Sequence, residues 1–457
     1  MLVFADQREH CEASNERPAD CTDANPFLML AGLSFLASAL SIAAPRLAPA
    51  FLGLLGLVLI ALAWRQGARW RELARLRTLL FLLLAVSAYT LLSAVWSPVP
   101  GTSVEKAALF AAFSMLTLGA VSAIDRLEAT ELRLIASAVI AGTIVGAAYV
   151  MLEVLTEGRI TVTLMNLLSV FRPENAKHVR IEDGVITDIN MSRFNHHATM
   201  VILFLWPTLL LMKETLAGLR RSLIGGLFLV LVVVAVFLSE HDSSQLAIIV
   251  SLIAWGLAKT WPRAVIRGMA LLWCLGFVVI IPLVHLAYNA GLHKAESLPS
   301  SFRARIIIWD YTRERALNTP LIGIGAGATR VESKPRSKAK LPPGFVFPRA
   351  TGQHAHNIFL QTWFELGLVG AILFALLGAA AIVRILLLPP EVQPFAAASF
   401  AAFGVIASFA WSMWQTWWVC AIGLMIIYLC LGAALLRRPG AEGALSNAKE
   451  PIRDFAR

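Results

Sequence analysis

Apolar residues of this chain fall in long, nearly uninterrupted blocks that are separated by short polar or charged stretches. Each block holds roughly 17 to 24 residues, the length that an α-helix needs to cross about 30 Å of hydrocarbon. Leucine, alanine, valine and isoleucine fill the blocks, without the ten-residue alternation that is typical of membrane β-barrels. The pattern therefore predicts an all-α, polytopic membrane protein with about twelve transmembrane helices.

The orientation of these helices follows from the positive charges between them. The predicted helices begin near Phe27, Leu47, Thr78, Ala107, Leu132, His196, Leu223, Gln245, Gly268, Asn357, Pro394 and Met413. Lysine and arginine are concentrated in alternate short loops, such as those containing Arg65 and Arg220, whereas the other short loops are nearly free of them. Cytoplasmic loops carry such an excess, so we expect the N-terminus on the cytoplasmic side.

This topology divides the chain into five segments. Residues 1–26 are too acidic and polar for a signal peptide and are expected to form a disordered cytoplasmic tail. Residues 27–288 hold helices one to nine, with a non-cytoplasmic segment at 153–195. Residues 289–355 form a long non-cytoplasmic loop between helices nine and ten, 356–438 hold helices ten to twelve, and 439–457 form a second cytoplasmic tail.

Composition agrees with lipid as the solvent. The chain is 58% hydrophobic and 15% charged, with a mean hydropathy of +0.71, whereas a soluble domain averages nearer half apolar and a quarter charged. Five cysteines are too few and too scattered for a disulfide framework. Nothing in the sequence predicts a nucleic-acid partner.

The long loop is strongly basic. Its cations are Lys294, Arg303, Arg305, Arg313, Arg315, Arg330, Lys334, Arg336, Lys338, Lys340 and Arg349, against the acidic residues Glu296, Asp310, Glu314 and Glu332. Cations on the non-cytoplasmic face depart from the usual charge rule. They can bind anionic lipid headgroups, or they can form a site for phosphate or pyrophosphate groups, for which arginine is well suited.

Helical spacing and glycines organise the first half of this loop. Phe302, Ile306, Trp309 and Arg313 recur at helical spacing, which predicts a helix over 301–317 lying on the membrane surface with its apolar side down. The following run of Gly323, Gly325 and Gly327 has no preceding strand and no P-loop lysine, so a close turn is favoured over a nucleotide site.

Polar residues cluster where the loop ends and helix ten begins. His354, His356 and Asn357 lie at the start of this helix, and Glu365 lies within its first half. A single histidine here can be a neutral interfacial residue, and a His–x–His pair can bind zinc, although no third ligand stands at a recognisable spacing. A general base beside arginines is the better chemical interpretation, because nearby positive charge keeps an imidazole neutral, and a carboxylate within a membrane helix tends to mark function.

These residues resemble a known family. His356–Asn357, nine further residues and then Gly367 to Gly370 match the H-[NSQ]-x9-G-x-x-[GTY] pattern of bacterial O-antigen ligases. Arg305 and Trp309, followed by the segment from Asn318 to Gly325, look like the R-x-x-x-W and N-x-P-L-x-G-x-G elements of the same superfamily, which also contains O-antigen polymerases. The motif-level match covers about 301–370, and the similarity in architecture covers nearly the whole chain.

The resemblance implies a metal-independent, inverting glycosyltransferase that needs no cofactor. It would act on the periplasmic side of the bacterial inner membrane, moving a glycan from undecaprenyl diphosphate to the lipid A–core or a related glycan acceptor. By the same resemblance, His356 is the general base and Arg305 holds the donor pyrophosphate. His354, Asn357, Trp309 and Glu365 would support them.

One departure concerns the second phosphate ligand. Many family members carry an arginine at the outer end of helices seven and eight, where this chain has Ser239 to Gln245. We expect Arg193, just before helix six, to take this role, and Asn195, His196 and His197 can line the same cavity or simply anchor the helix at the interface. For His241 and Asp242 a solvated turn is favoured.

Other functions remain as alternatives. A polymerase that joins lipid-linked repeats shares the donor chemistry and differs only in the acceptor. A lipid or glycan transporter would be expected to show inverted repeats or charges at mid-membrane, and neither is evident here. A receptor or assembly scaffold would leave the histidine and arginine set without a purpose.

Overall fold

The fold is a bundle of long helices. The computed structural model describes residues 26–67, 75–168, 179–332 and 353–438. Its helices, numbered in chain order, are α1 (Pro26–Ala43), α2 (Ala48–Arg65), α3 (Arg77–Leu92), α4 (Pro100–Ile124), α5 (Ala129–Leu155), α6 (Arg159–Leu167), α7 (Asn195–Thr215), α8 (Gly218–Leu238), α9 (Asp242–Thr260), α10 (Pro262–Asn289), α11 (Ser300–Ala316), α12 (Thr329–Glu332), α13 (Ile358–Val383), α14 (Gln393–Phe409) and α15 (Thr416–Arg437).

Eleven stretches within these ranges are long and apolar enough to cross a membrane. The shorter α14, with 17 residues, is a twelfth apolar helix. The prediction of an all-α polytopic membrane protein is therefore confirmed, and each predicted helix start has a counterpart. The fourth and ninth helices begin earlier than expected, at Pro100 and Pro262. Proline favours the first helical turn, so each helix starts in polar sequence ahead of its apolar block.

Two helices form the centre of the bundle. Most residues of α7 and α15 are buried, whereas only a minority of those in α3 and α8 are, so these two helices lie on the periphery. Helices α1 and α5 pack closely because Gly142 and Gly146 of α5 face α1. A Cβ at Gly142 would lie 2.3 Å from the carbonyl oxygen of Phe35. Small residues at such a spacing allow membrane helices to approach each other.

The segment between α5 and α7 has structure of its own. Helix α6 is followed by two antiparallel strands, β1 (Val179–Glu182) and β2 (Val185–Ile189). Asn166 of α6 bonds both backbone groups of Ile186, at 2.8 and 3.0 Å, which fastens the hairpin to that helix. A short 3₁₀ turn, Met191–Phe194, then leads into α7.

The helix predicted at 301–317 is α11, which spans Ser300–Ala316. It packs against α10 and α13, and it buries Ile306, Ile307 and Trp309 there. Its apolar side is therefore occupied by protein, in place of the membrane surface expected for it. The cations from Lys334 to Lys340, Arg349, and the two cysteines of the N-terminal tail lie outside the described residues.

Candidate active site

The two histidines lie in a turn that is held from several sides. The Trp309 indole donates a hydrogen bond of 2.8 Å to the carbonyl of Ala355. The Asn357 side chain accepts from the Leu360 amide at 2.9 Å, capping α13, and donates to the carbonyl of Ser408 at 3.0 Å. His356 itself has a φ of +52°, a left-handed conformation that non-glycine residues rarely adopt. Such strain persists where the surrounding structure enforces it.

One carbonyl determines the tautomer of His356. Its Nδ1 lies 2.6 Å from the carbonyl oxygen of Ala410, and a carbonyl can only accept, so Nδ1 carries the proton. In neutral His356 the Nε2 lone pair is then free to accept another proton. The Nε2 of His354 lies 3.4 Å from the same oxygen, and the two rings are 3.9 Å apart between centroids. The histidines thus present different nitrogens to the site.

Both histidines are held neutral. Burial lowers the pKa of His356 to about 4, with a further contribution from the positive charge of Arg305 and opposition from the Ala410 hydrogen bond. Burial also lowers the pKa of His354 to about 3, helped by His356, Arg330 and Arg305. At neutral pH His356 is therefore ready to take a proton.

Arg305 reaches this region from α11. One turn earlier on the same helix, Ser301 donates a 3.0 Å hydrogen bond to the Asp242 carboxylate at the start of α9. Burial lowers the pKa of Arg305 and the Asp242 carboxylate raises it, but an arginine remains charged in proteins. The Arg305 charge acts on His356, His354 and His241 alike. The structure thus brings together the two residues to which the motifs assign the chemistry.

His241 is a residue whose environment the sequence did not reveal. It is only 4% exposed, so the expected solvated turn is wrong. Its Nδ1 lies 2.7 Å from the Ser244 hydroxyl, and its ring packs near Trp411. Burial lowers its pKa to about 3, and Arg305 and His196 lower it further. The signal that could have pointed to it is its place in the segment from Ser239 to Gln245, where the resemblance leads one to expect an arginine and this chain has none.

Arg193 lies in a different part of this end of the bundle. It is half-buried in the turn before α7, where it interacts electrostatically with Arg46 and Tyr149. His196, two residues after the turn that holds Arg193, connects this region to His241. Its ring centroid lies 4.1 Å from that of Trp411, and its charge contributes to lowering the pKa of His241. His197 donates from Nδ1 to the carbonyl of Ile42, 2.8 Å away, which is a structural role. His196 thus lies beside Trp411 and near His241, and the cavity lining expected for this segment stays a prediction.

Glu365 is completely buried, and both of its carboxylate oxygens accept hydrogen bonds. Its carboxylate accepts hydrogen bonds from the Gly327 amide at 2.7 Å, the Thr329 hydroxyl at 2.5 Å, the Gln361 amide at 3.1 Å and the Trp414 indole. A buried carboxylate with so many donors is stabilised within the bundle. Glu365 therefore connects three parts of the chain and does not extend into open space.

The glycine run forms the close turn that was expected. Gly323, Gly325 and Gly327 all have positive φ. This turn pairs with a break in α13 at Gly367, through bonds from the Ile324 and Gly325 amides to the carbonyls of residues 364 and 365. A Cβ at Gly323 would lie 2.4 Å from the Glu365 backbone, and one at Gly367 would lie 2.4 Å from Leu321. Both turns therefore need glycine.

The arrangement suits proton transfer next to an anion site. A neutral imidazole with an unprotonated Nε2 accepts a proton, and a partly buried arginine stabilises negative charge that develops nearby. Within the described ranges, no three histidine, cysteine, aspartate or glutamate side chains are grouped so as to hold a metal ion.

Comparisons with known proteins find similarity in part of this chain. Residues 227–375 match the family model described as O-antigen ligase. Proteins of Rickettsia prowazekii and Rickettsia conorii, each classed as a predicted polysaccharide ligase, are 28% identical over 129 and 128 residues. Each match covers 27% of this chain, and 31% and 30% of the respective relative. The resemblance of this chain to the O-antigen ligase family is thereby confirmed, and it lies in the segment that carries Arg305, His356 and Glu365.

Proposed function

We propose that this protein is a glycosyltransferase that moves a glycan from a polyprenyl diphosphate, such as undecaprenyl diphosphate, to a saccharide acceptor. The observation that carries the proposal is the 2.6 Å contact between Nδ1 of His356 and the Ala410 carbonyl. Because the carbonyl can only accept, the proton lies on Nδ1 and Nε2 is unprotonated, and the Arg305 charge acts on the same imidazole. The similarity of residues 227–375 to O-antigen ligases supports the same reaction class.

In the proposed reaction, Nε2 of His356 takes the proton of an acceptor hydroxyl. The hydroxyl oxygen then forms a bond to the anomeric carbon of the donor sugar, and the bond from that carbon to the diphosphate oxygen breaks. The electron pair leaves with the diphosphate, and Arg305 stabilises the negative charge. Attack opposite the leaving group inverts the configuration at carbon. The lipid diphosphate is itself the activated group, so no nucleotide is consumed.

Neighbouring residues have supporting roles in this scheme. Trp309 and Asn357 hold the turn that presents His356. His354 shares the Ala410 carbonyl and adds a second neutral imidazole. His241 lies near enough to Arg305 for the charge to act on it, and its neutral imidazole is a further candidate to help bind the diphosphate. Arg193, near Arg46, stays the proposed second phosphate ligand.

We further propose lipid A–core as the acceptor and the periplasmic face of the bacterial inner membrane as the location. The charge pattern of the short loops supports this orientation. A polymerase that joins lipid-linked repeats is the alternative. Deletion of the gene separates the two: loss of a ligase leaves full-length lipid-linked polymer, whereas loss of a polymerase leaves a single repeat on the core.

The test is transfer by the purified protein in detergent or nanodiscs. The mixture contains an undecaprenyl diphosphate-linked glycan, rough lipopolysaccharide and a chelator, and it lacks nucleotide. We expect product with inverted anomeric configuration in the wild-type reaction, and transfer lowered by about 100-fold or more with His356→Gln. Equal transfer by correctly inserted His356→Gln and Arg305→Gln variants would refute the proposal.

A further inference from the structure

The connector between α14 and α15, residues 410–415, is not helical and crosses beside the histidine turn. Ala410 has φ −120° and ψ −70°, outside the helical region, so its carbonyl is not aligned along α14. That carbonyl is the acceptor for His356. The position of the proposed catalytic imidazole therefore depends on a non-helical stretch of chain, which has a turn bond of 3.2 Å from the Gln415 amide to the Ser412 carbonyl.

One side chain of α13 fastens this connector. Gln361 donates from Nε2 to the Ser412 hydroxyl at 3.0 Å, and its Oε1 accepts from the Met413 amide at 3.3 Å. The Nε2 of Gln361 also donates to the Glu365 carboxylate, at 3.1 Å. Gln361 is 1% exposed, so these bonds form in a dry environment where unmade hydrogen bonds are costly.

Gln361 belongs to a row of polar residues on one face of α13. Asn357, Gln361 and Glu365 are spaced one turn apart, and each bonds to the region around the connector: Asn357 to the carbonyl of Ser408, Gln361 to residues 412 and 413, and Glu365 to the indole of Trp414. Asn357 also caps α13 directly after His356. The helix that begins at the catalytic histidine thus also holds the carbonyl to which that histidine donates.

We infer that Gln361 is a positioning residue that fixes the α14–α15 connector, and through the Ala410 carbonyl keeps His356 in the tautomer with a free Nε2. This inference rests on the proposed function for its catalytic consequence, but the tautomer itself is a structural property. Without the two bonds from Gln361, the connector can rearrange and Ala410 can turn its carbonyl away. The imidazole then loses the partner that holds the proton on Nδ1.

Nitrogen-15 NMR of histidine-labelled protein in nanodiscs tests this inference. The resonances of His356 are identified by their disappearance in His356→Gln. We expect a protonated Nδ1 and an unprotonated Nε2 in the wild type. In Gln361→Met, which keeps the side-chain length but has no amide, we expect a mixture of tautomers, with kcat lowered roughly 10-fold and the donor KM within about twofold of wild type.

Gln393→Met is the matched control. Gln393 is a buried glutamine of α14 that bonds to the carbonyl of Leu388, at the opposite end of that helix from the connector. This variant should leave the tautomer of His356 and kcat unchanged. If Gln361→Met does not fold, Ser412→Ala, which removes only the hydroxyl partner, should show the same shift in tautomer.

Two results would overturn the inference. One is a wild-type His356 with its proton on Nε2, and the other is a folded Gln361→Met protein whose tautomer and kcat match wild type. Failure of the proposed function looks different: His356→Gln would then retain full transfer, while the tautomer in Gln361→Met would still shift.

Discussion

The two histidines of the turn before α13 differ in which ring nitrogen contacts the Ala410 carbonyl, and this difference favours His356 as the proposed base. His356 presents Nε2, whereas His354 donates from Nε2 and does so over a longer distance. We expect His356→Gln to lower kcat/KM by about 100-fold or more, the usual contribution of a general base. His354→Gln should cost less than about 10-fold, because Nδ1 of His356 keeps its carbonyl partner.

Initial rates of glycan transfer, measured with equal amounts of inserted protein, check this prediction. A larger loss for His354→Gln than for His356→Gln would exchange their roles.

The depressed pKa of His356 predicts the acid limb of the pH profile. The imidazole must be neutral to accept a proton, and its pKa of about 4 keeps it neutral across the physiological range. The plot of kcat/KM against pH should therefore be flat from neutral pH down to about pH 5, falling only near pH 4. An ordinary histidine would lose half of its activity near pH 6.5.

Arg305 should influence that limb directly. Its positive charge lowers the pKa of His356, so Arg305→Gln removes this effect and should move the acid limb to higher pH. Arg315→Gln makes the same charge change further along α11, where the guanidinium bonds to the Tyr311 hydroxyl, and should leave the limb in place. An unchanged limb in Arg305→Gln would show that the two groups are not coupled.

At the scale of elements, α13 is two helical segments joined at Gly367, and the break between them receives the turn that follows α11. Gly367 has φ +64° and ψ −160°, a region open essentially only to glycine. The turn at Gly323 fits into this break, and Glu365 bonds to the Gly327 amide and the Thr329 hydroxyl just beyond it. The break thereby ties the loop that follows α11 to the helix that follows the histidines.

Substitution at this break should be severe. Gly367→Ala places a Cβ 2.4 Å from the backbone of Leu321 and forces an unfavourable φ, so we expect a loss of about 2 kcal/mol or more in the free energy of unfolding. Gly404→Ala, in α14, meets no atom within 4 Å and should be neutral or slightly stabilising. Thermal unfolding in detergent measures both, and equal midpoints would contradict the close approach of the two turns.

At the scale of the whole molecule, the turns before α7, α9 and α13 meet at one end of the bundle, and their residues form the candidate site. His196, His241 and His356 come from three separate parts of the chain, and Arg305 comes from a fourth. The aromatic ring of Trp411 packs against both His196 and His241. The site is therefore a product of helix packing, with the connector at its centre.

The predicted orientation places this end outside the cytoplasm. In a variant without native cysteines, a cysteine at Glu240 or Glu157 should react with a membrane-impermeant thiol reagent in spheroplasts. A cysteine at Gln66 or Arg220 should react only after the membrane is permeabilised. The reverse pattern would invert the topology and place the site on the cytoplasmic side.

Much of this organisation could be predicted from the chain alone. Helix number and approximate helix limits follow from apolar blocks, since crossing hydrocarbon demands about 20 apolar residues wherever the block lies. The pairing of Arg305 with His356 follows from short motifs. Helix α11 was also predicted from spacing, but its apolar side meets α10 and α13, because periodicity identifies a buried face without naming what covers it.

Other features depended on contacts between distant residues. Three of them involve groups far apart in sequence: the burial of His241, the tautomer of His356 and the hydrogen bonds that Glu365 accepts. Ala410 contacts His356, for example, and the Trp414 indole donates to Glu365. By itself, the sequence determined the membrane-spanning architecture and the candidate residues for the proposed chemistry, because both arise from local composition and spacing. Only the tertiary structure decided which nitrogen is free and which polar groups are already satisfied, because hydrogen bonds are made between atoms that folding brings together.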